Sequence, residues 1–178
     1  MKIATKLIAL CLVVSAIVCG VYFIKASAKS LDQTQLDYIS ANCVSLKNNL
    51  NQLHISDALL RVNMGQRYEL VSTKLMDRFN NRISSNSFKI DNLNDISLSY
   101  KSTLDNFRSD YITYEQSLSS AIKINCATQP ELFYNSVQSV RSNRNKVYED
   151  TKKLVQQIED YRLEVLNFEK FFRSIGAR

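Results

Sequence analysis

Proline and glycine are almost missing: Pro130 is the only proline, and Gly20, Gly65 and Gly176 are the only glycines in 178 residues. Helix is therefore favoured nearly everywhere, and sheet-rich folds, which need frequent turn residues, are excluded. Histidine is equally scarce. With His54 alone, neither the H-E-x-x-H zinc motif nor the paired Glu-x-x-His of di-iron bundles can be built. No C-x-x-C occurs, and three scattered glycines cannot form a phosphate-cradling loop or a G-x-S-x-G elbow. The expectation is a non-enzymatic protein with no cofactor and no metal, and a His54 that serves as a turn or capping residue.

Excess charge is also scarcer than it looks. The chain carries +6, but Lys2, Lys6, Lys25 and Lys29 flank one apolar segment, and the remainder is close to neutral. Nucleic acid, which demands a basic surface tracking its phosphates, is not an expected partner.

What is present begins with that apolar segment. From Leu7 to Ile24 only Ser15 and Gly20 interrupt the hydrophobic side chains, and eighteen helical residues reach about 27 Å, close to a bilayer's hydrocarbon thickness. The reading is a single-pass signal-anchor over 1–29, followed by an extracytoplasmic domain over 30–178. Lysines balance across the segment, so orientation rests on the short basic head, which places the N-terminus in the cytoplasm. The alternative is a secreted domain, because Ala26-Ser27-Ala28 matches the pattern cleaved by signal peptidase, with the cut near Ala28. Cys11 and Cys19 read as packing residues within the run.

The rest of the chain shows helical seams. Phe133, Val137, Val140, Arg144 and Val147 begin a heptad pattern that continues to Ile175. Thr128-Gln129-Pro130-Glu131 marks its start, with Thr128 as cap and Glu131 closing a capping box. Leu36 to Leu53 and Tyr100 to Ala121 repeat the spacing. A weaker pattern runs through Met64, Tyr68, Val71, Leu75, Phe79 and Ile83, with Gly65 allowing close approach. Connections at 54–56, 84–95 and 126–128 predict an antiparallel up-down four-helix bundle, all-α, with a long C-terminal helix. That helix should return toward the membrane; there Phe168, Phe171, Phe172 and Ile175 alternate with Lys170, Arg173 and Arg178, read first as a core seam with a solvated basic edge and alternatively as a stripe suited to a headgroup interface.

Cys43 and Cys126 form an even pair on the exported side, which suggests a disulfide. Its one difficulty is height: in a bundle broken at 54, Cys43 lies about 15 Å below the end of its helix while Cys126 sits at a tip, so the third helix must sit low for the two to meet. Arg144 occupies a seam position, and a buried guanidinium needs a partner. It pairs with Glu69 or another acid, or snorkels outward; alternatively Arg61, Arg67, Arg141 and Arg144 line an anion pocket.

The stretches Ser56–Glu69, Ser72–Met76, Phe107–Tyr111 and Cys126–Tyr134 resemble those of an uncharacterised family of small bacterial exported or single-pass helical proteins. In plan the chain also resembles LemA-type proteins and the four-helix sensor modules of chemoreceptors. Neither resemblance implies an activity. Two roles are expected to compete: an envelope structural or interaction protein that docks on a partner or on itself, and a ligand-sensing module served by a separate transducer.

Overall fold

Helix α1 (Gln33–Ala41) leads into α2, which runs through Cys43–Leu70, a π-helical stretch Val71–Met76 and Asp77–Ser85 without a non-helical residue between them. Helix α3 spans Asp91–Lys123 and α4 spans Pro130–Gly176. The computed structural model describes residues 31–89 and 91–176. Among them there are four helices with a long C-terminal one, and no strand. No described helix is long and apolar enough to cross a membrane, and the segment Leu7–Ile24 lies outside the described residues.

Helices are four, as expected, but their boundaries are not the expected ones. His54, Ile55 and Ser56 lie inside α2, where a connection was expected. The only early break is Asn42, between α1 and α2. There the backbone leaves helical geometry (φ −101°, ψ 13°), and the side-chain amide donates to the Tyr38 carbonyl at 2.8 Å, the local competition that makes asparagine a poor helix-interior residue. No proline or glycine stands near 54. Ordinary residues differ in helix propensity by only about 0.7 kcal/mol at most, too little to stop a rod that α3 holds. The second connection is shorter than expected, since α2 persists to Ser85 and α3 begins at Asp91.

One continuous α2 changes the geometry of everything after it. Asp57 meets Tyr114, the Tyr68 carbonyl meets Tyr100, and Asn80 meets Leu93, so α2 and α3 run antiparallel along their whole contact. Gln157 meets Ser99 and Thr103, and Asn92 meets Glu164, so α4 turns back again. The end of α4 therefore sits beside Phe88, at the opposite end of the bundle from Cys43 and Phe133. Phe171, Phe172 and Ile175 are exposed at that tip, far from the start of α2.

The same change removes the height problem of the cysteines. Cys43, near the start of α2, and Cys126, just beyond the end of α3, lie at one end of the bundle and form a disulfide with Cα atoms 5.3 Å apart. Phe133 packs beside it, with Ile39, Leu46 and Leu50 around them.

Helix α3 is the central rod. Tyr100, Leu104, Phe107, Tyr111, Tyr114, Leu118 and Ala121 are all buried, so the seam read from its sequence is the seam that packs. The weaker pattern of α2 holds only in part. Tyr68 and Ile83 are buried, but Leu75 is exposed and Ser72, Met76 and Asn80 take the inner face. π-helical turns hold more residues than α-turns, which brings 72, 76 and 80 inward beside Val71 and Phe79, both packed against the core, and leaves Leu75 outside. Hydroxyls surround the irregular stretch: Tyr100 donates to the Tyr68 carbonyl at 3.1 Å and Thr73 to the Glu69 carbonyl at 2.9 Å, while the single Tyr161 proton is shared between Asn80 Oδ1 and, at 3.3 Å, the Met76 carbonyl. Asn80 ties three helices, donating to the Leu93 carbonyl at 3.3 Å and accepting from Tyr161 at 2.6 Å.

Helix α4 starts at Pro130, as expected, yet the capping box does not form. The Thr128 hydroxyl donates back to the Asn125 carbonyl at 3.4 Å, and the Gln129 carbonyl accepts the first helical bond, from Phe133, at 3.0 Å. Glu131 lies in the first turn, where its charge favours the helix dipole. Gly65 has more room than expected, since an added Cβ would meet only the Phe107 ring, at 4.0 Å.

Two measurements follow from this packing. Gly65→Ala raises stability by about 0.5–1 kcal/mol in chemical denaturation, because alanine restricts the unfolded chain and fits the space; a loss would show that Gly65 is needed for close approach. Intact mass of the isolated domain rises by two hydrogens on reduction, and Cys43→Ala with Cys126→Ala lowers stability by about 2–5 kcal/mol for so long a loop.

Candidate functional site

Midway along the bundle, α2 and α4 stand apart over α3 and leave a cleft of about 390 Å³. Asp57, Leu60, Arg61, Met64 and Tyr68 of α2 form one wall, and Arg144, Asn145, Val147, Tyr148 and Thr151 of α4 the other. Phe107, Tyr111 and Tyr114 of α3 are the floor. The spacing of 57, 60, 61, 64 and 68 puts the first wall on one helical face. Heptad spacing does the same for Tyr111, Tyr114 and Phe107.

Two hydrogen-bonded chains brace the cleft. In the first, Arg144 Nε and Nη2 donate to Asp57 Oδ2 and Oδ1 at 2.8 and 3.2 Å, and the Tyr114 hydroxyl donates to Oδ2 at 2.8 Å. Only 11% of the Asp57 side chain is exposed. Burial by itself pushes the Asp57 carboxyl upward, but the Arg144 and Tyr114 hydrogen bonds outweigh it and hold the group below its ordinary value. Burial, followed by the bond to Asp57, raises the Tyr114 phenol well above its normal range. In the second chain, His54 Nε2 and Glu115 Oε2 pair at 2.8 Å, and the Tyr111 hydroxyl donates to Glu115 Oε1 at 2.8 Å. His54 is thus a tie between α2 and α3, not the turn residue expected.

The four arginines considered as an anion pocket do not gather at one place. Arg61 and Arg144 line the cleft, whereas Arg67 and Arg141 are exposed and are not part of its walls. Arg144 pairs internally, with Asp57; Glu69, the acid considered first, pairs with Arg108. Arg61 lies over the Tyr111 ring, 4.8 Å from its centroid, and is in no ion pair among the described residues. Asp57 escaped sequence reasoning because, four residues before Arg61, it reads as half of a surface i,i+4 pair; its actual partners are distant in sequence. No described group of three or more His, Cys, Asp or Glu side chains could hold a metal.

A second acidic feature lies across the α3–α4 contact. Asp150 is buried, one carboxylate oxygen has no hydrogen-bond partner, and Asp110 stands beside it. Burial, followed by the Asp110 charge, raises the Asp150 carboxyl above its ordinary value despite the nearby Lys153. No family model matches the chain, and no curated protein or solved structure matches it either. The cleft offers aromatic surface, one guanidinium in no ion pair among the described residues and a braced ion pair.

Asp150 sets a pH dependence. Its folded-state pKa is raised, so its ionisation disfavours folding: the penalty is absent well below the unfolded value of 3.8 and grows as pH rises through that value and the higher folded one. Asp150→Asn should stabilise the fold by about 1 kcal/mol at pH 7, with the gain gone near pH 3. Thermal melts of both proteins across that range test it, and a gain independent of pH would refute the assignment.

Proposed function

We propose that the chain is a membrane-anchored helical-bundle protein of the extracytoplasmic side, with a non-enzymatic structural or protein-interaction role at the cell envelope. One observation carries the interaction role: α2 is apolar on two faces. Met64 and Tyr68 face inward, while Val44, Ile55, Leu59, Val62 and Leu70 stay largely exposed. At 100° per residue these five fall within about 80° of arc. Single exposed apolar residues need no explanation, but an aligned stripe on a helix is the usual mark of a surface that packs against something.

The address draws on other support. Residues 7–24 are long and apolar enough to read as an anchor, and a disulfide such as Cys43–Cys126 persists in oxidising compartments, not in the bacterial cytosol. The second reading, a ligand-sensing module that works with a separate transducer, is favoured by the cleft between α2 and α4.

Crosslinking of the full-length chain in intact cells, followed by fractionation and mass spectrometry, tests the proposal. The expected result is a membrane-fraction species with a reproducible protein partner or a second copy. Replacing Ile55 and Leu59 by lysine should abolish that species, while stability shifts by no more than about 0.5 kcal/mol per exposed site. Recovery of the full-length chain as a soluble cytosolic species would overturn the address. Crosslinks untouched by the substitutions would overturn the interaction surface.

A further inference from the structure

The geometry points to the cleft between α2 and α4 as a binding site for a small organic monocarboxylate with a flat apolar body. It rests on the cleft alone, not on the compartment of the chain or on what docks against the outer face of α2.

Size and shape come first. About 390 Å³ lies within the range of small-molecule sites, roughly 300–1,000 Å³. Phe107, Tyr111 and Tyr114 on the floor are buried to within a few per cent, and two of them are pinned by hydroxyl bonds to Glu115 and Asp57. The pinned floor offers fixed ring edges at little entropic cost, and Leu60, Met64, Val147 and Tyr148 of the walls supply apolar surface for a planar guest.

Charge selects the sign of that guest. Asp57, Arg61 and Arg144 are the charged residues of the lining. Asp57 takes both bonds from Arg144, which leaves Arg61 as the one charged group of the lining in no ion pair; the Glu115 carboxylate near it is tied to His54 and Tyr111. Its guanidinium lies over the Tyr111 ring, an arrangement that uses the flat face of the group and leaves its N–H edge available. That edge matches a carboxylate, which accepts two parallel bonds from arginine. A guanidinium in no ion pair favours an anionic guest; a neutral guest would leave it unanswered.

A third observation is independent of charge. The Tyr68 side chain is only 4% exposed, lines the cleft, and its hydroxyl has no hydrogen-bond partner in the fold. Thr151 stands beside it and gives its own proton to the Val147 carbonyl at 2.9 Å; its oxygen can still accept, but it makes no hydrogen bond with the Tyr68 hydroxyl. Buried hydroxyls are nearly always satisfied. An oxygen on the guest would give Tyr68 the acceptor it lacks.

Binding of 6-hydroxy-2-naphthoate to the purified protein, followed by the probe's own fluorescence, tests the inference. Its carboxylate answers Arg61, its rings the floor, and its hydroxyl oxygen Tyr68. A Kd below about 1 mM is expected, with 2-naphthol, which lacks the carboxylate, at least about 10-fold weaker. Arg61→Gln should remove that discrimination, whereas Arg141→Gln, outside the cleft, should not. Tyr68→Phe should weaken the probe about 5-fold and yet raise the melting temperature of the unliganded protein, opposite signs that a purely structural tyrosine would not produce. No binding up to 1 mM overturns the inference, as does equal affinity for the acid and 2-naphthol in the unaltered protein, a comparison that needs no variant to fold. Arg61→Gln binding the acid as well as the unaltered protein would overturn the role of Arg61.

Discussion

The arrangement of this bundle depends on α2 remaining helical where it passes His54 to Ser56. Two side-chain ties hold it there, His54 to Glu115 and Asp57 to Tyr114, both reaching to α3. If the chain turned at that point, Cys43 and Cys126 would sit on parallel helices at different heights. Because it does not turn, α2 is antiparallel to α3 and the two sulfurs meet at one end. The same continuity sends the tip of α4 to the opposite end, beside Phe88.

A long rod must also keep its packing face aligned with its neighbours, and the π-helical stretch Val71–Met76 is where α2 adjusts. Wider turns rotate the inner face onto Ser72, Met76 and Asn80. Irregular helix leaves carbonyls imperfectly paired, and buried hydroxyls from α3 and α4 answer them: Tyr100 at Tyr68, Tyr161 at Met76. Burial raises the phenols of both, Tyr161 to about 12, so they remain neutral donors at any physiological pH. The tyrosines thus satisfy backbone at one level of the bundle and carboxylates at the next, where Tyr111 and Tyr114 hold Glu115 and Asp57. Tyr68 is the exception, and it lines the cleft.

The cleft exists because α3 packs most closely against α4, while α2 joins the pair by an apolar contact from Tyr68 to Ile83 and, further toward its start, by side-chain bridges from His54 and Asp57. That leaves α2 with hydrophobic residues on two faces, the inner set over the cleft and the outer set in solvent. Both functional readings draw on this one imbalance. A rod with apolar residues to spare supports a docking surface outside, and a rod held off its neighbour supports a small-molecule site inside.

Much of the fold was legible without coordinates. Scarcity of proline and glycine determined an all-helical chain, the 3–4 spacing determined which residues of α3 are buried, and Pro130 marked the start of α4. These properties are local, so they can be read from neighbours in sequence. What only the tertiary structure decided involves small local preferences set against long-range contacts. Whether helix persists through His54, where a π-helical stretch enters α2, and whether Arg144 finds Asp57 or Glu69 each turn on partners between 32 and 87 residues away. Propensity differences of a few tenths of a kcal/mol per residue cannot settle such choices, and burial of a shared core can.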